Sequence, residues 1–411
     1  MHAILSLMSS SDSFESTPVR TAPASGPGEL FQILRDGVAR TRAELIQITG
    51  LARSTIVPRV DLLLESRLIQ PAGEASSSGG RPPSRLAFNP AARFVVAIDL
   101  GASHAIVALS DLSGFSIASQ RREVEISEGP ELILGWVVNT VRDLAATAAL
   151  DLGDLVGVGM GLPGPVEHAT GRPINPPNMP GWDRFDVPAF FNAEFGVPVF
   201  VDNDVNILAL GEHARVWPQS KNLLYVKVST GIGGGIIIGG ELQRGDQGTA
   251  GDLGHVQVPY SLDSDRTPGD ELQLKDLASG AAVARILSAR GIPARNSEDV
   301  VRLVQSGNLD AIDTVRQAGR YLGEVLATAV NILNPSVVVI GGRMAGAGEH
   351  LLAGVREVVY RRSLPLATQN LTIVQSRLGD EAGPLGAAYL AIREVLSASS
   401  VDSMLQELRG D

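Results

Sequence analysis

The sequence predicts an α/β protein in two parts, an N-terminal winged helix-turn-helix followed by a duplicated α/β fold with two lobes. Residues 29–69 show three short stretches of helical periodicity, and two strand-like runs follow them. From residue 93 onward strands and helices alternate. A strand, glycine turn and second strand open this region at 93–114 and recur at 222–240, which indicates a duplication around a cleft.

The composition is that of an ordinary globular protein. The 411 residues predict two or three domains, with 44% hydrophobic and 19% charged residues. The absence of cysteine excludes disulfides and thiolate-bound metals. No run of eighteen apolar residues occurs and the start lacks a basic region, so we expect neither a membrane span nor a signal peptide, and a cytoplasmic location.

The net charge of −11 argues against nucleic-acid binding for only part of the chain. Residues 1–92 carry nine arginines against eight acidic residues, whereas the rest carries 25 basic against 37 acidic residues. The acidity therefore belongs to the later part, and the first part is judged separately. Residues 1–27 are rich in Ser, Pro and Thr without periodicity, which predicts a disordered tail.

Two short helices follow the tail. The stretch ELFQILRDG places Leu30, Ile33 and Leu34 on one face of the first. The stretch TRAELIQITG predicts a second helix that begins with a capping box, in which Thr41 is the N-cap and Glu44 follows three residues later. A tight turn then leads to a third helix, so the order matches a winged helix-turn-helix, the alternative being a small helical packing module.

The third helix and the hairpin after it carry the candidate DNA contacts. ARSTIVPRV is the predicted recognition segment, and its N-terminal end would reach base edges and phosphates. Pro58 within it predicts a local distortion of the helix. Arg81 stands between Gly and Pro at the predicted wing tip, where it would enter an A/T-rich minor groove unless the segment is only a linker. The candidate DNA contacts are Arg53, Ser54, Thr55, Arg59 and Arg81.

Two glycine turns, DLGAS and STGIGGG, lie between apolar strands in matching places of the two halves. Such turns expose backbone N–H groups that suit phosphate oxygens, although most glycine-rich hairpins are only hairpins. The hydroxyls of Ser103 and Thr230 would add donors, and Asp99 could hold a hydrated magnesium ion. The matching positions indicate that both turns face one cleft.

The stretch VDNDVN ends an apolar strand with Asn203 and Asp204. A carboxylate at this sheet edge could accept a proton from a substrate hydroxyl, or it could serve as N-cap of the helix that begins at Val205. The loops GLPGPV and NMPGW are turn formers, and Trp182 in the second is expected to be a packing anchor. Farther along, the Asp252 carboxylate and the His255 imidazole stand three residues apart, which suggests a metal or sugar site.

The chain resembles the ROK family of repressors, open reading frames and sugar kinases, in its regulator form with a winged helix in front. The motifs AIDLGAS, GLPGPV, NMPGW, VDNDVN, STGIGGG, GTAGDLGH, DLASG, VVVIGG and LGDEAGPLGAA occur in the family's order. The resemblance implies an actin-like, ribonuclease H-like duplicated sugar-kinase fold. The domains expected are a DNA-binding domain at 28–92, a first lobe at 93–204 and a second lobe at 205–411. The C-terminal helix would either stay with the second lobe or return to the first.

The resemblance also implies ligand positions. The sugar would lie between the lobes, near Gly164, Asn178, Asn203, Asp204, Asp252, His255 and Lys275. Asp204 matches the general base of the family kinases. The nucleotide positions, weak or vestigial here, would be Asp99, Gly101, Ser103, Thr230, Gly231, Gly233 and Gly342.

Several positions depart from the kinase pattern. Family kinases have a second glycine and a threonine where this chain has Ala102 and Ser103, and Asp252 replaces a longer glutamate. Lys275 stands where the family has a sugar-binding glutamate, which favours an altered or anionic ligand unless the side chain only points into solvent. The three cysteine positions of a family zinc site are occupied by Arg266, Pro268 and Gln273, so we predict no zinc.

The leading hypothesis is a sugar-responsive transcriptional regulator, in the first instance a repressor. It would bind a palindromic operator as a homodimer or a dimer of dimers, release it when a sugar occupies the cleft, and require no cofactor. The alternative is an ATP- and Mg²⁺-dependent sugar kinase with Asp204 as general base, and a structural module that uses neither site ranks third.

Overall fold

The computed structural model describes residues 26–74, 84–258 and 272–408 of the chain. The predicted tail lies outside these residues except for its last two. The described residues form two compact units, one made of residues up to Asn89 together with residues from Ser397, and the other of Pro90–Leu396. Among the helices of the described ranges, none has the length and apolarity to cross a bilayer.

The N-terminal unit contains three helices and a three-stranded antiparallel sheet. The elements are α1 (Pro27–Leu34), β1 (Arg40–Thr41), α2 (Arg42–Thr49), α3 (Arg53–Glu65), β2 (Ile69–Glu74) and β3 (Ser84–Phe88). Strand β3 lies between β1 and β2. This is the element order of a winged helix-turn-helix, with β2 and β3 as the strands of the wing.

The local determinants of the unit agree with the sequence pattern. Leu30 and Leu34 of α1 are buried, and the predicted capping box at the start of α2 is present. In it the Thr41 hydroxyl accepts from the Glu44 N–H, while the Glu44 carboxylate accepts from the Thr41 N–H at 2.6 Å. Helix α3 continues past Pro58, which lies on its exposed side, so the missing N–H removes one hydrogen bond without ending the helix.

The first lobe of the larger unit is built on a five-stranded sheet. Its strands are β4 (Phe94–Leu100), β5 (His104–Asp111), β6 (Ser116–Glu123), β7 (Leu155–Leu162) and β10 (Val199–Asn203), in the order β10-β7-β4-β5-β6. Strands β4, β7 and β10 are parallel, and β5 and β6 form an antiparallel meander with β4. A short hairpin of β8 (Val166–Glu167) and β9 (Arg172–Pro173), and helices α4 (Pro130–Thr147) and α5 (Val187–Phe195), complete the lobe.

The second lobe repeats this topology. Helix α6 (Asp204–Val216) leads into β11 (Leu223–Val228), β12 (Ile232–Ile238), β13 (Glu241–Gln243), β14 (Val337–Gly341) and β15 (Thr372–Gln375). Their order is β13-β12-β11-β14-β15, which, taken from β15, repeats that of the first sheet strand for strand and confirms the duplicated fold. The helices are α7 (Leu274–Ala278), α8 (Gly280–Ala289), α9 (Ser297–Gln305), α10 (Leu309–Leu333), α11 (Glu349–Arg362), α12 (Pro365–Thr368) and α13 (Ala382–Val395).

The two lobes exchange helices. Helix α6 follows the first sheet but packs on β11 and β12 of the second, whereas α13 follows the second sheet but packs on β4 and β7 of the first. The two helices also pack on each other, and glycines allow their backbones to touch. A Cβ atom at Gly386 would lie 1.7 Å from the carbonyl oxygen of Ile207, and one at Gly211 would lie 2.1 Å from that of Ala382. No side chain fits at either position without moving a helix.

The last helix, α14 (Ala398–Glu407), belongs to the N-terminal unit. It packs on α1, which has no side-chain cap of its own, and the Asp402 carboxylate accepts from the Gly28 N–H at 2.7 Å. The domain bounds expected from the sequence place these residues in the second lobe. The difference arises because Ser397 starts a new helix after α13, and this pairing spans 374 residues of the chain.

We expect that Gly386→Ala destabilises the larger unit by several kcal/mol, because the added methyl group would overlap the Ile207 carbonyl. Gly135→Ala is the matched control, since Gly135 lies inside α4 with no atom within 4 Å of the new Cβ. This control should gain up to about 1 kcal/mol from helix propensity. Urea unfolding of both variants measures the difference, and equal stabilities would contradict the packing described for α6 and α13.

Candidate functional site

The carboxyl ends of three strands, two in the first lobe and one in the second, bring three charged side chains into one region. Asp99 lies near the end of β4, Asp204 is the first residue of α6 directly after β10, and Lys227 lies near the end of β11. Asp99 and Asp204 are both 6% exposed. Buried carboxylates are costly unless they are paired, so their partners define the chemistry of the region.

Asp204 is paired with Lys227. The Lys227 ammonium donates to Asp204 Oδ2 at 2.5 Å, so the carboxylate proposed as a general base is already engaged within the chain. Burial disfavours the charged form of Lys227, but the Asp204 carboxylate and the nearby Asp99 more than offset this and raise the pKa of Lys227 above its ordinary value. Lys227 is therefore charged at neutral pH.

Asn203, rather than Asp204, caps helix α6. Its Oδ1 accepts from the Val205 N–H at 2.9 Å, which corrects the alternative assignment of Asp204 as the cap. The Asn203 amide also donates to the Gly164 carbonyl at 2.8 Å and so joins two of the predicted sugar-binding residues. Asn178 is exposed in a left-handed conformation with φ of 59°. The Oδ1 and Nδ2 atoms of Asn203 thus both have hydrogen-bond partners within the chain.

A second ion pair connects the lobes beside the first. Arg244, just after β13, donates from Nε to Asp202 Oδ2 at 2.6 Å, and Asp202 is 3% exposed at the end of β10. Asp202 Oδ1 accepts from Asn206 Nδ2 at 2.6 Å, so the carboxylate is held from both sides. Because Arg244 belongs to the second lobe and Asp202 to the first, this contact reports on the relative position of the lobes.

Asp252 and His255 form a hydrogen-bonded dyad with Lys275. The Asp252 carboxylate lies 2.8 Å from His255 Nδ1, and the Lys275 Nζ lies 2.8 Å from His255 Nε2. An ammonium can only donate, so Nε2 accepts and the imidazole proton sits on Nδ1, facing Asp252. Lys275 therefore contacts the dyad instead of pointing into solvent. Asp252 and His255 are both more than half exposed, which leaves them accessible to a ligand.

Of the three residues at the cysteine positions of the family zinc site, two lie outside the described residues. Arg266 and Pro268 fall in the range 259–271, whereas Gln273 pairs with Gln257 in an isolated antiparallel bridge next to α7. Within the described parts of the chain, no group of three or more His, Cys, Asp or Glu side chains is arranged so that it could hold a metal ion. The expectation that no zinc binds here stays a prediction.

The first glycine turn is partly covered. Ala102 and Ser103 are exposed, but the His104 ring lies over Gly101, where a Cβ atom would come within 2.2 Å of the imidazole. His104 Nε2 also lies 3.7 Å from Asp99 Oδ2. The imidazole thus packs against the backbone of the turn and covers one side of Gly101.

The second glycine turn divides into an open part and a packed part. Thr230 is exposed, and no atom lies within 4 Å of a Cβ placed on Gly231. At Gly233, in contrast, a Cβ would lie 2.9 Å from Val205 Cγ2, so that glycine lets β12 pack on α6. Gly342 has φ of 78° and lies against the backbone of Val228 at the end of β11.

The candidate DNA contacts lie in the first turns of α3. Arg53 and Ser54 are exposed at its N-terminus, Thr55 is half-buried, and Arg59 is half-buried one turn later. Arg81 falls outside the described residues. The exposed start of α3 combines the positive end of the helix dipole with a guanidinium, a combination that suits phosphate.

Trp182 is a packing anchor, as expected from the sequence. Its ring is fully buried and its Nε1 donates to the Ile126 carbonyl at 3.0 Å. Sequence reasoning missed Lys227 and the Arg244–Asp202 pair. One signal for Lys227 was available, because the chain has only three lysines among its 34 basic residues and this one interrupts the apolar strand LLYVKV.

Comparisons with known proteins agree with this architecture. The model of the ROK family matches residues 95–394. The chain is 28% identical to a xylose repressor from Caldicellulosiruptor bescii, over 90% of this chain and 95% of that protein.

Two solved structures resemble the fold. One, described as a ROK family transcriptional regulator homologous to the E. coli MLC protein, has a TM-score of 0.77 and 25% identity, covering 93% of this chain and 98% of that one. The other, a ROK hexokinase from Thermus thermophilus, has a TM-score of 0.61 and 32% identity, covering 74% of this chain and 99% of that one. With a family model matching well over half of its length, the chain belongs to the ROK family.

Proposed function

We propose that the chain is a sugar-responsive transcriptional repressor, which binds operator DNA through its N-terminal unit and a sugar or sugar derivative in the cleft between its lobes. The observation that carries the proposal is the coverage of the similarity. The match to the xylose repressor covers 90% of this chain. The uncovered remainder is shorter than the N-terminal unit, so the match includes at least part of that unit. The hexokinase structure, in contrast, covers 74% of the chain.

At the sugar end, the dyad of Asp252 and His255 supplies the exposed polar groups. Asp252 offers carboxylate oxygens to sugar hydroxyls, and His255 is held in one orientation by its two partners. Lys275 adds a cationic donor beside them, which favours a ligand with an acceptor-rich or anionic group at this position. Gly164, Asn178 and Asn203 would complete the wall of the site from the first lobe.

At the DNA end, the start of α3 would enter the major groove, with Arg53 and Ser54 nearest the bases and phosphates. The wing would place Arg81 in an A/T-rich minor groove. We further propose a homodimer or a dimer of dimers on a palindromic operator, because a two-fold protein reads two inverted half-sites.

Two consecutive helices connect the sugar-binding part of the chain covalently to the DNA-binding part. Helix α13 packs in the larger unit beside the cleft, and α14 follows it after two residues and caps α1 of the N-terminal unit through Asp402. A sugar that binds one arrangement of the lobes more tightly would shift α13 and, through the covalent link, α14. Such a ligand changes DNA affinity only by its differential affinity for the two conformations.

The alternative function is an ATP-dependent sugar kinase. The position of Asp204 at the carboxyl end of β10 and the open turn at Thr230 and Gly231 favour it. The Lys227 ammonium on Asp204 and the His104 ring over Gly101 count against it. The two functions differ in their products, since only the kinase forms ADP.

A screen of the full chain against hexoses, pentoses, amino sugars and their phosphates should find a ligand that raises the melting temperature. We expect that ligand to weaken binding to DNA from the chain's own promoter region at least tenfold in a gel shift. A coupled assay with ATP should detect no ADP formation at enzymatic rates. Phosphorylation of the ligand at such rates would contradict the regulator proposal, as would a chain that ignores its promoter DNA.

Replacement of Asp252 by Ala should raise the Kd of the sugar found in that screen at least tenfold, because a charged hydrogen bond contributes about 1.5–3 kcal/mol. Asp276→Ala is the matched control, since Asp276 is an exposed acid on the first turn of α7, next to Lys275. Isothermal titration calorimetry measures both. Equal affinities in the two variants would remove the dyad from the binding site.

A further inference from the structure

Lys227 occupies an unusual position for a lysine. It lies between Val226 and Val228 on β11, both fully buried, and its own side chain is only 20% exposed. The chain uses arginine for 31 of its 34 basic residues, so a lysine in a buried strand is a departure from its general composition. A buried ammonium is costly unless fixed opposite charges surround it.

Two carboxylates from the first lobe provide that charge. The Lys227 ammonium donates to Asp204 Oδ2 at 2.5 Å, and Asp99 is near enough to contribute to the raised pKa of the lysine. Asp99 is enclosed on its other sides, because its Oδ2 lies where a Cβ of Gly383 would be and 3.7 Å from His104 Nε2. The neighbouring cation Arg244 is engaged with Asp202. Lys227 thus pairs directly with Asp204 and lies near enough to Asp99 to interact with its charge.

A kinase of this fold would hold a magnesium nucleotide at this place, and the residues present do not fit that group. A divalent ion coordinated by Asp99 or Asp204 would lie beside the Lys227 ammonium, which repels it. The nucleotide phosphates would meet the His104 ring over Gly101 and the methyl group of Ala102. The residues at this place therefore disfavour both the metal and the phosphates.

We propose that the Lys227 ammonium is a built-in cation, which neutralises Asp99 and Asp204 in place of a divalent metal ion and keeps the cleft free of metal and nucleotide. The cleft would then bind its ligand without Mg²⁺ or ATP. This role is separate from the regulatory function proposed above, because it concerns the charge balance of the cleft and not the identity of the sugar or the operator.

Removal of the Lys227 ammonium tests whether it takes the place of a metal ion. Without it, the buried Asp204 and the nearby Asp99 lose the ammonium that balances their charge, and a divalent cation with oxygen ligands would take over that balance. A lysine that only stabilises the fold would leave metal affinity unchanged when replaced. Metal binding therefore distinguishes a built-in cation from an ordinary structural ion pair.

The test uses the full chain and its Lys227→Met variant, titrated with Mn²⁺ and followed by the electron paramagnetic resonance signal of the free ion. We expect the unaltered chain to bind Mn²⁺ at least tenfold more weakly than Lys227→Met, which should take up about one ion per chain. Lys227→Arg should behave like the unaltered chain because it keeps the charge. Lys221→Met is the matched control, since Lys221 is exposed in the loop before β11.

Two further measurements locate the acquired Mn²⁺ site and test the proposal. Adding Asp204→Asn to Lys227→Met should abolish the acquired Mn²⁺ binding. The proposal is overturned if Lys227→Met, with its circular dichroism unchanged, binds no more Mn²⁺ than the unaltered chain. It is also overturned if the unaltered chain binds Mn²⁺ or Mg-ADP and loses this binding on Asp204→Asn, a result that needs no stable Lys227 variant.

Discussion

Helices α6 and α13 cross with their backbones in contact, and the geometry of the cleft depends on this crossing. Gly386 and Gly211 permit it, since a Cβ on either would overlap a carbonyl oxygen of the opposite helix. The crossing holds the first residue of α6, Asp204, opposite Lys227 of the second lobe, and the start of α13 against Asp99. Interfaces this tight shift between discrete arrangements more readily than they deform, which is the property a ligand-driven switch requires.

Much of the architecture could be predicted because its signals are local. The capping box of Thr41 and Glu44 fixes the start of α2 through residues three apart. The two glycine turns mark the same strand junction in both lobes, and the repeated topology follows from them. The likeness of the motifs to the ROK family implied the actin-like form of the duplicated fold, which periodicity alone does not give.

What escaped prediction consists of contacts between distant parts of the chain. The pairing of Lys227 with Asp204, of Arg244 with Asp202 and of Lys275 with His255 joins side chains whose proximity exists only after both lobes have folded. The packing of α14 on α1 is the extreme case, because the Asp402 carboxylate caps a helix 374 residues earlier. Spacing carries no information about such pairs, although the rarity of lysine in this chain was an available signal for Lys227.

In the proposed repressor, sugar binding in the cleft and DNA binding by the N-terminal unit are coupled within one chain. The most direct measurement is the Kd of the sugar determined by calorimetry with and without saturating operator DNA. Reciprocity requires operator DNA to weaken sugar binding by the same factor by which the sugar weakens DNA binding, at least tenfold in this account. A sugar Kd unchanged by operator DNA would contradict the coupling, whatever the affinity of each ligand alone.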